Sequence, residues 1–251
     1  MTSKHVAGPT LDEFEAARAT VAKVAQSTPM ETSRYLSGVL GSEVFLKCEN
    51  LQRTGSYKLR GAYNRLSQLT PDERAKGVIA ASAGNHAQGV ALAARELGIK
   101  ATIFMPLGVA LPKLEATREY GAEVVLAGNI FNESLKAAKE RAAETGAIFI
   151  APFDHEHVIT GQGTLGLEIL DEVPDVDTII VPIGGGGLIS GLATAAKAIK
   201  PSIKVSGVAL VPWACWQYTA PCLMHGRYWR SRGETGACLG TGKNMARCGL
   251  A

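Results

Sequence analysis

The chain has no run of 18 uninterrupted apolar residues, no cluster of five basic residues, no CxxC pair and no internal repeat. The first absence leaves no candidate for a membrane-spanning helix. The second, with a formal charge of only +3, offers no footing for nucleic acid or a membrane surface, so neither is expected as a partner. The first 30 residues carry Asp12, Glu13, Glu15, Arg18 and Lys23 where a secretory leader needs an apolar core, so a cytoplasmic protein is expected. Cysteine is scarce in the body of the chain. Cys48 stands alone, and Cys215, Cys222, Cys238 and Cys248 all fall in the last 37 residues, at spacings that match neither a zinc site nor a disulfide framework.

Those last residues differ from the rest. From Ala209 onward the chain holds all three tryptophans, five Lys plus Arg and one acid, Glu234, with no period of 2 or 3.6. Residues 1–208 hold 21 basic and 22 acidic residues, a nearly neutral body, and the 46% apolar content is enough to build a core.

Within residues 10–208, helix-period and strand-period segments alternate with short Gly or Pro punctuation, which predicts an α/β protein with a parallel sheet covered by helices. Thr10 and Glu13 form a capping box that opens a helix to about residue 26, and Thr28-Pro29 stops it. Strands are predicted at 44–48, 77–81, 100–105, 122–126, 147–150, 178–183 and 204–208. Helices are predicted at 57–69, 85–97, 111–120, 132–144, near 163–171 and at 188–199, with Thr70-Pro71-Asp72 read as a turn. No Pro/Gly/Ser linker marks a simple boundary, so a two-domain chain must pass between its domains more than once.

Three loops carry chemistry. In Gly55-Ser56-Tyr57-Lys58-Leu59-Arg60-Gly61 a lysine opens a helix beside a second cation, two influences that disfavour its ammonium form and favour the neutral amine a Schiff base needs. Ser82-Ala83-Gly84-Asn85-His86 turns from a strand into a helix and presents free N–H groups suited to a carboxylate or phosphate, although the same turn also suits a plain cap. Gly184-Gly185-Gly186-Gly187-Leu188 lies between an apolar strand and a helix. Four consecutive glycines are entropically expensive, which points to close backbone approach to an anion.

Two other patterns carry less. Residues 161–166 match a dinucleotide fingerprint, but no strand clearly precedes them and no acid stands where a ribose hydroxyl would need one. Asp154-His155-Glu156-His157 lacks a clear third metal ligand, so no metal is expected.

Taken together, Glu49-Asn50-Leu51-Gln52-Arg53-Thr54-Gly55-Ser56-Tyr57-Lys58-Leu59-Arg60-Gly61-Ala62, Ser82-Ala83-Gly84-Asn85-His86-Ala87-Gln88-Gly89 and Pro182-Ile183-Gly184-Gly185-Gly186-Gly187-Leu188-Ile189 resemble the fold type II (tryptophan synthase β-like) pyridoxal-phosphate enzymes. The branch they resemble most is that of threonine ammonia-lyase (threonine dehydratase) and serine racemase. The resemblance implies two parallel-sheet α/β domains, the larger from 1–49 with 151–208 and the smaller from 50–150. It implies pyridoxal 5′-phosphate as cofactor, with Lys58 as the Schiff-base lysine, Tyr57 as a shielding ring, Asn85 on the pyridine 3-oxygen and the backbone of Gly184, Gly185, Gly186, Gly187 and Leu188 on the 5′-phosphate. Ser82, Ala83, Gly84, Asn85 and His86 would then hold the substrate carboxylate.

The implied reaction is β-elimination from L-threonine or L-serine to 2-oxobutyrate or pyruvate and ammonia, in amino-acid metabolism such as isoleucine biosynthesis. Serine racemases carry a hydroxyl residue where this chain has Ala83, so elimination is expected to dominate. Intact relatives are homo-oligomers, and some respond to AMP near positions matching Thr54, Gly55 and Gln88. Past Val208 the resemblance stops, as a truncation or shifted reading frame would produce, leaving 209–251 as an atypical tail and the larger domain incomplete. The sequence leaves open an inactive remnant of such an enzyme, or a serine racemase or serine dehydratase.

Overall fold

The computed structural model describes residues 8–209. It divides into two units, one of residues 17–152 and one whose described residues are 8–16 and 153–209. The boundary falls within α1 (Leu11–Val21), which opens on the predicted capping box: Thr10 N donates to Glu13 Oε2 at 2.7 Å and Glu13 N to Thr10 Oγ1 at 3.3 Å.

The 17–152 unit is built on four parallel strands in the order β5-β4-β3-β6, where β3 is Val78–Ala81, β4 Ala101–Met105, β5 Glu123–Leu126 and β6 Ile148–Phe149. Val78 pairs with Ala101 on one side and with Ile148 on the other. All four β3 residues are buried, as a central parallel strand covered on both faces requires, and this is why Val78-Ile79-Ala80-Ala81 reads as an unbroken apolar run. The edge strand β5 carries only Val124 and Val125 in half-buried positions. Helices α5 (Asn85–Glu96), α6 (Leu111–Glu119) and α7 (Phe131–Thr145) cover the sheet, and α3 (Lys58–Ser67) packs on α5. The main core joins Leu59, Leu66, Val90, Leu92, Ile103 and Met105.

A short antiparallel pair, β1 (Met30–Thr32) with β2 (Phe45–Lys47), also belongs to this unit. The larger domain was expected to take residues up to 49; by contact, 17–49 go with 50–152. Hydrogen bonds make that attachment. Gln52 exchanges bonds with the Gln26 backbone at 2.9 and 2.8 Å, Arg60 donates to both Glu49 carboxylate oxygens at 2.8 Å, and Arg53 donates to the Val24 carbonyl at 3.2 Å.

Strand β1, a single 3-10 turn at Glu49–Leu51 and two helices of this unit escaped the sequence reading. Residues 70–76 form not a turn but α4 (Pro71–Lys76), with Pro71 in the first helical turn and a second capping box between Thr70 and Glu73. Helix α2 (Arg34–Leu40), capped by Ser33 and closed by Gly41 at φ 64°, buries none of its residues, so it has no apolar period to read.

The other unit pairs β7 (Thr178–Pro182) in parallel with β8 (Lys204–Val208), with α8 (Glu156–Glu172) and α9 (Gly187–Ile199). Helix α8 starts well before its expected position near 163, because Gly161, Gly163 and Gly166 break the sequence signal while serving the packing. A Cβ on Gly163 would strike the Phe14 ring and come within 2.8 Å of the Gly191 carbonyl; one on Gly166 would lie 3.0 Å from the Leu192 carbonyl. The apparent dinucleotide fingerprint at 161–166 is therefore the interior of a helix packed backbone to backbone against α9. No helix among the described residues is long and apolar enough to cross a membrane. The expected tail, from residue 210 on, lies outside the described residues.

Candidate cofactor site

From β3 the chain builds outward to β4 and β5, then returns through α7 to place β6 on the other side of β3. Strand order thus reverses between β3 and β6, and in open parallel sheets the crevice at the carboxyl ends of such strands is where ligands bind. Three sequence segments meet there in the 17–152 unit: the start of α3 with Lys58, the 82–86 turn that follows β3, and residues 150–152 that follow β6.

Lys58 is the first residue of α3 and is half-buried. Its Nζ donates to the Pro152 carbonyl at 2.8 Å and lies 5.3 Å from the centroid of the Tyr57 ring. Burial pushes its pKa down to about 8 and pushes the Tyr57 phenol up. From the sequence, Arg60 was expected to share in that depression. Arg60 instead turns into the core, 1% exposed, with Nε and one terminal nitrogen each 2.8 Å from a Glu49 carboxylate oxygen, so its charge is matched within the protein. Desolvation of Lys58 is the cause. Gly89 lets α5 approach: a Cβ there would lie 3.1 Å from both Lys58 C and Leu59 N.

In the 82–86 turn, Gly84 N donates to Ser82 Oγ at 3.1 Å, Ala83 is half-buried, and the Asn85 residue is exposed at the first position of α5. Gly84 caps the helix without a side-chain acceptor, leaving the first N–H groups of α5 without intrahelical partners. His86 points inward. It is 4% exposed, its Nε2–H donates to the Ile150 carbonyl at 3.2 Å, and burial and the nearby Lys58 hold its pKa down to about 3. One residue went unnoticed in the sequence. Lys113, near the start of α6, brings Nζ within 3.6 Å of where a Cβ on Gly84 would sit, and no local motif marks it.

The 184–188 turn lies in the other unit, between β7 and α9. Three of its glycines have local reasons. Gly186 has φ 90°, a Cβ on Gly185 would strike the Phe153 ring, and one on Gly187 would come within 2.7 Å of the Phe153 carbonyl. Gly184 faces open space. The 13-residue α9 has no side-chain cap, so its leading N–H groups can meet an anion.

Of the residues matched to an AMP site, Thr54 is 4% exposed with Oγ1 donating to the Ser56 carbonyl at 3.4 Å, Gly55 has φ 69°, and Gln88 is half-buried. His155 caps α8 by accepting from His157 N at 3.1 Å, and no metal-ligating cluster is found among the described residues.

The two depressed pKa values predict a pH dependence of stability. A buried neutral histidine contributes fully above its unfolded pKa near 6.5, and that contribution is lost as pH falls toward about 3. Lys58 acts likewise between 10.5 and about 8: stability rises with pH across that window. The stability advantage of the parent over His86→Gln, from urea unfolding between pH 7 and 4, should shrink by about 1.4 kcal/mol per unit below about pH 6. Parallel curves would show that His86 titrates normally.

The residues of the 17–152 unit fit pyridoxal phosphate, with an amine held well below the ordinary lysine range and an uncapped helix N-terminus at α5 with a lysine beside it; the other unit, taken by itself, has an uncapped α9 behind an open Gly184, which suits an anion. Comparison with known proteins agrees. L-Threonine ammonia-lyase of Thermotoga maritima is 53% identical over 199 residues, which are 79% of this chain and 50% of that protein. Solved structures that superpose include a T.th. threonine deaminase, at TM-score 0.77 and 42% identity, covering 90% of this chain and 72% of that one. Maize serine racemase superposes at TM-score 0.79 and 38% identity, covering 90% and 68%. The chain spans about half the length of the first of these relatives. Residues 21–227 match the sequence profile described as pyridoxal-phosphate dependent enzyme, and the chain belongs to that family.

Proposed function

We propose that this chain carries the cofactor and substrate machinery of an L-threonine and L-serine ammonia-lyase, with Lys58 as the residue that holds pyridoxal phosphate. The observation that carries the reading is the Lys58 amine, desolvated to a pKa of about 8 and anchored on the Pro152 carbonyl at the switch point of a parallel sheet. The relatives named threonine ammonia-lyase and threonine deaminase support the substrate. An AMP effector at Thr54, Gly55 and Gln88, assembly into a homo-oligomer and a cytoplasmic setting belong to the same proposal.

When bound, pyridoxal phosphate supplies an electron sink for the pair left on the substrate α-carbon. The protein does the rest. Lys58 Nζ, with a usable neutral fraction near neutral pH, takes the α-proton as general base. Backbone N–H groups at the start of α5, with Ser82, Ala83, Gly84, Asn85 and His86 around them and the Lys113 ammonium nearby, hold the substrate carboxylate. With the cofactor bound, Asn85 would reach its ring oxygen, Tyr57 would cover the ring, and the N–H groups of 184–188 would hold the phosphate. Borohydride reduction of the cofactor-loaded chain followed by peptide mapping tests the reading. The label is expected on Lys58; label on other lysines with none on Lys58 would remove it.

Maize serine racemase is a structural neighbour, so racemisation is the competing chemistry. Ala83 disfavours it, because a methyl group cannot protonate the opposite face of the α-carbon. Ala83→Ser is expected to raise the ratio of D-serine to pyruvate formed from L-serine. An unchanged ratio would show that position 83 does not choose between the two outcomes.

A further inference from the structure

His86 is buried, keeps its proton on Nε2, and is not needed as an acid or base in the reaction above. Its ring meets the Ile150 carbonyl at 3.2 Å. Ile150 itself is pinned on its other side, its N–H donating to the Ile79 carbonyl of β3 at 2.8 Å. Two residues on, the Pro152 carbonyl receives Lys58 Nζ at 2.8 Å. Pro152 has no N–H to anchor itself and Ala151 takes part in no strand pairing, so Ile150 is the last tied point before the carbonyl that holds the lysine.

We propose that His86 is a positioning residue for Lys58: by holding the Ile150 carbonyl it fixes the exit of β6, and thereby fixes the Pro152 carbonyl against which the lysine amine rests. The catalytic meaning of this arrangement rests on the reading of Lys58 as the cofactor lysine. The geometry itself does not. Histidine suits the task because its imidazole spans from α5 to β6 with a rigid ring. Kept neutral, it adds no second charge beside the lysine. The groups facing Lys58 are Tyr57, whose ring is 5.3 Å from Nζ, and His86; Arg60, two residues on, is matched by Glu49.

The test is the titration of Lys58 in the cofactor-free 251-residue chain, followed by NMR on protein carrying ¹³C at lysine Cε. The Lys58 signal is assigned by its loss in Lys58→Arg. The parent is expected to titrate at about 8. His86→Leu removes the donor and keeps an apolar volume, so the β6 exit loses its tie and the Lys58 ammonium its fixed acceptor. Its midpoint should fall by about one unit, because a lost hydrogen bond to the charged form favours the neutral one. His86→Gln, whose amide can donate to the same carbonyl, should restore the midpoint to within about 0.3 unit of the parent. A leucine variant that titrates with the parent overturns the proposal. If the leucine variant does not fold, the comparison of His86→Gln with the shorter His86→Asn decides: equal midpoints overturn the proposal, and a lower one in the asparagine variant supports it. Peptide mapping that finds no cofactor on Lys58 would remove the proposed function and leave this titration result standing.

Discussion

Lys58→Ala should reduce 2-oxobutyrate formation from threonine by at least about 10² to 10⁴-fold, the usual contribution of a positioned general base, because the same residue also holds the cofactor. Lys58→Arg should be equally inactive despite keeping the charge, since a guanidinium stays protonated and cannot serve as the neutral amine. Neither change should unfold the 17–152 unit. Lys58 opens α3, where alanine is a good helix former, and its removal relieves the desolvation that depresses the amine. The check is turnover with saturating pyridoxal phosphate beside a urea unfolding curve for each variant. Turnover within about threefold of the parent in a Lys58→Ala protein, on the order of RT in free energy, would remove lysine 58 from the chemistry.

The largest stability effect is expected at Glu49→Ala. Arg60 is 1% exposed and Glu49 9%, and the two are joined by two bonds of 2.8 Å. Breaking a buried pair by deleting one partner leaves an uncompensated charge, which costs about 3–5 kcal/mol. Thr28 Oγ1 loses its acceptor in the same substitution, and residues 17–49 lose the ion pair that ties them to α3. Replacing both charges, as in Glu49→Leu with Arg60→Met, should recover most of the loss, because no unpaired ion is left inside. Urea denaturation of the three proteins checks this. A Glu49→Ala midpoint close to that of the parent would mean that Arg60 finds water or another partner, and the pair would then be a minor contributor.

What local chemistry writes was legible. The capping box at Thr10, the buried run of β3, the strand-to-helix turn at 82–86 and the start of α3 at Lys58 were all read to within a residue or two, because each depends on neighbours in the chain. Helix α4 carried the same Thr-x-x-Glu signal as α1, and Pro71 at its opening was mistaken for a turn mark. Helix α2 left no signal, since with nothing buried its sequence needs no period.

The sequence alone determined the fold class, the order of the long helices and the sheet strands and the three loops that resemble the pyridoxal-phosphate enzymes, since periodicity, caps and motifs are properties of adjacent residues. Tertiary structure decided the rest. That Arg60 spends its charge on Glu49, that Lys58 owes its low pKa to burial, that Phe153 accounts for two of the four glycines, and that His86, Lys113 and the Pro152 carbonyl gather near Lys58 and Gly84 all depend on residues far apart in the chain or on burial itself. Desolvation and close packing act through space. No spacing along the chain reports them until the sheet has set its strand order and brought the ends of β3 and β6 side by side.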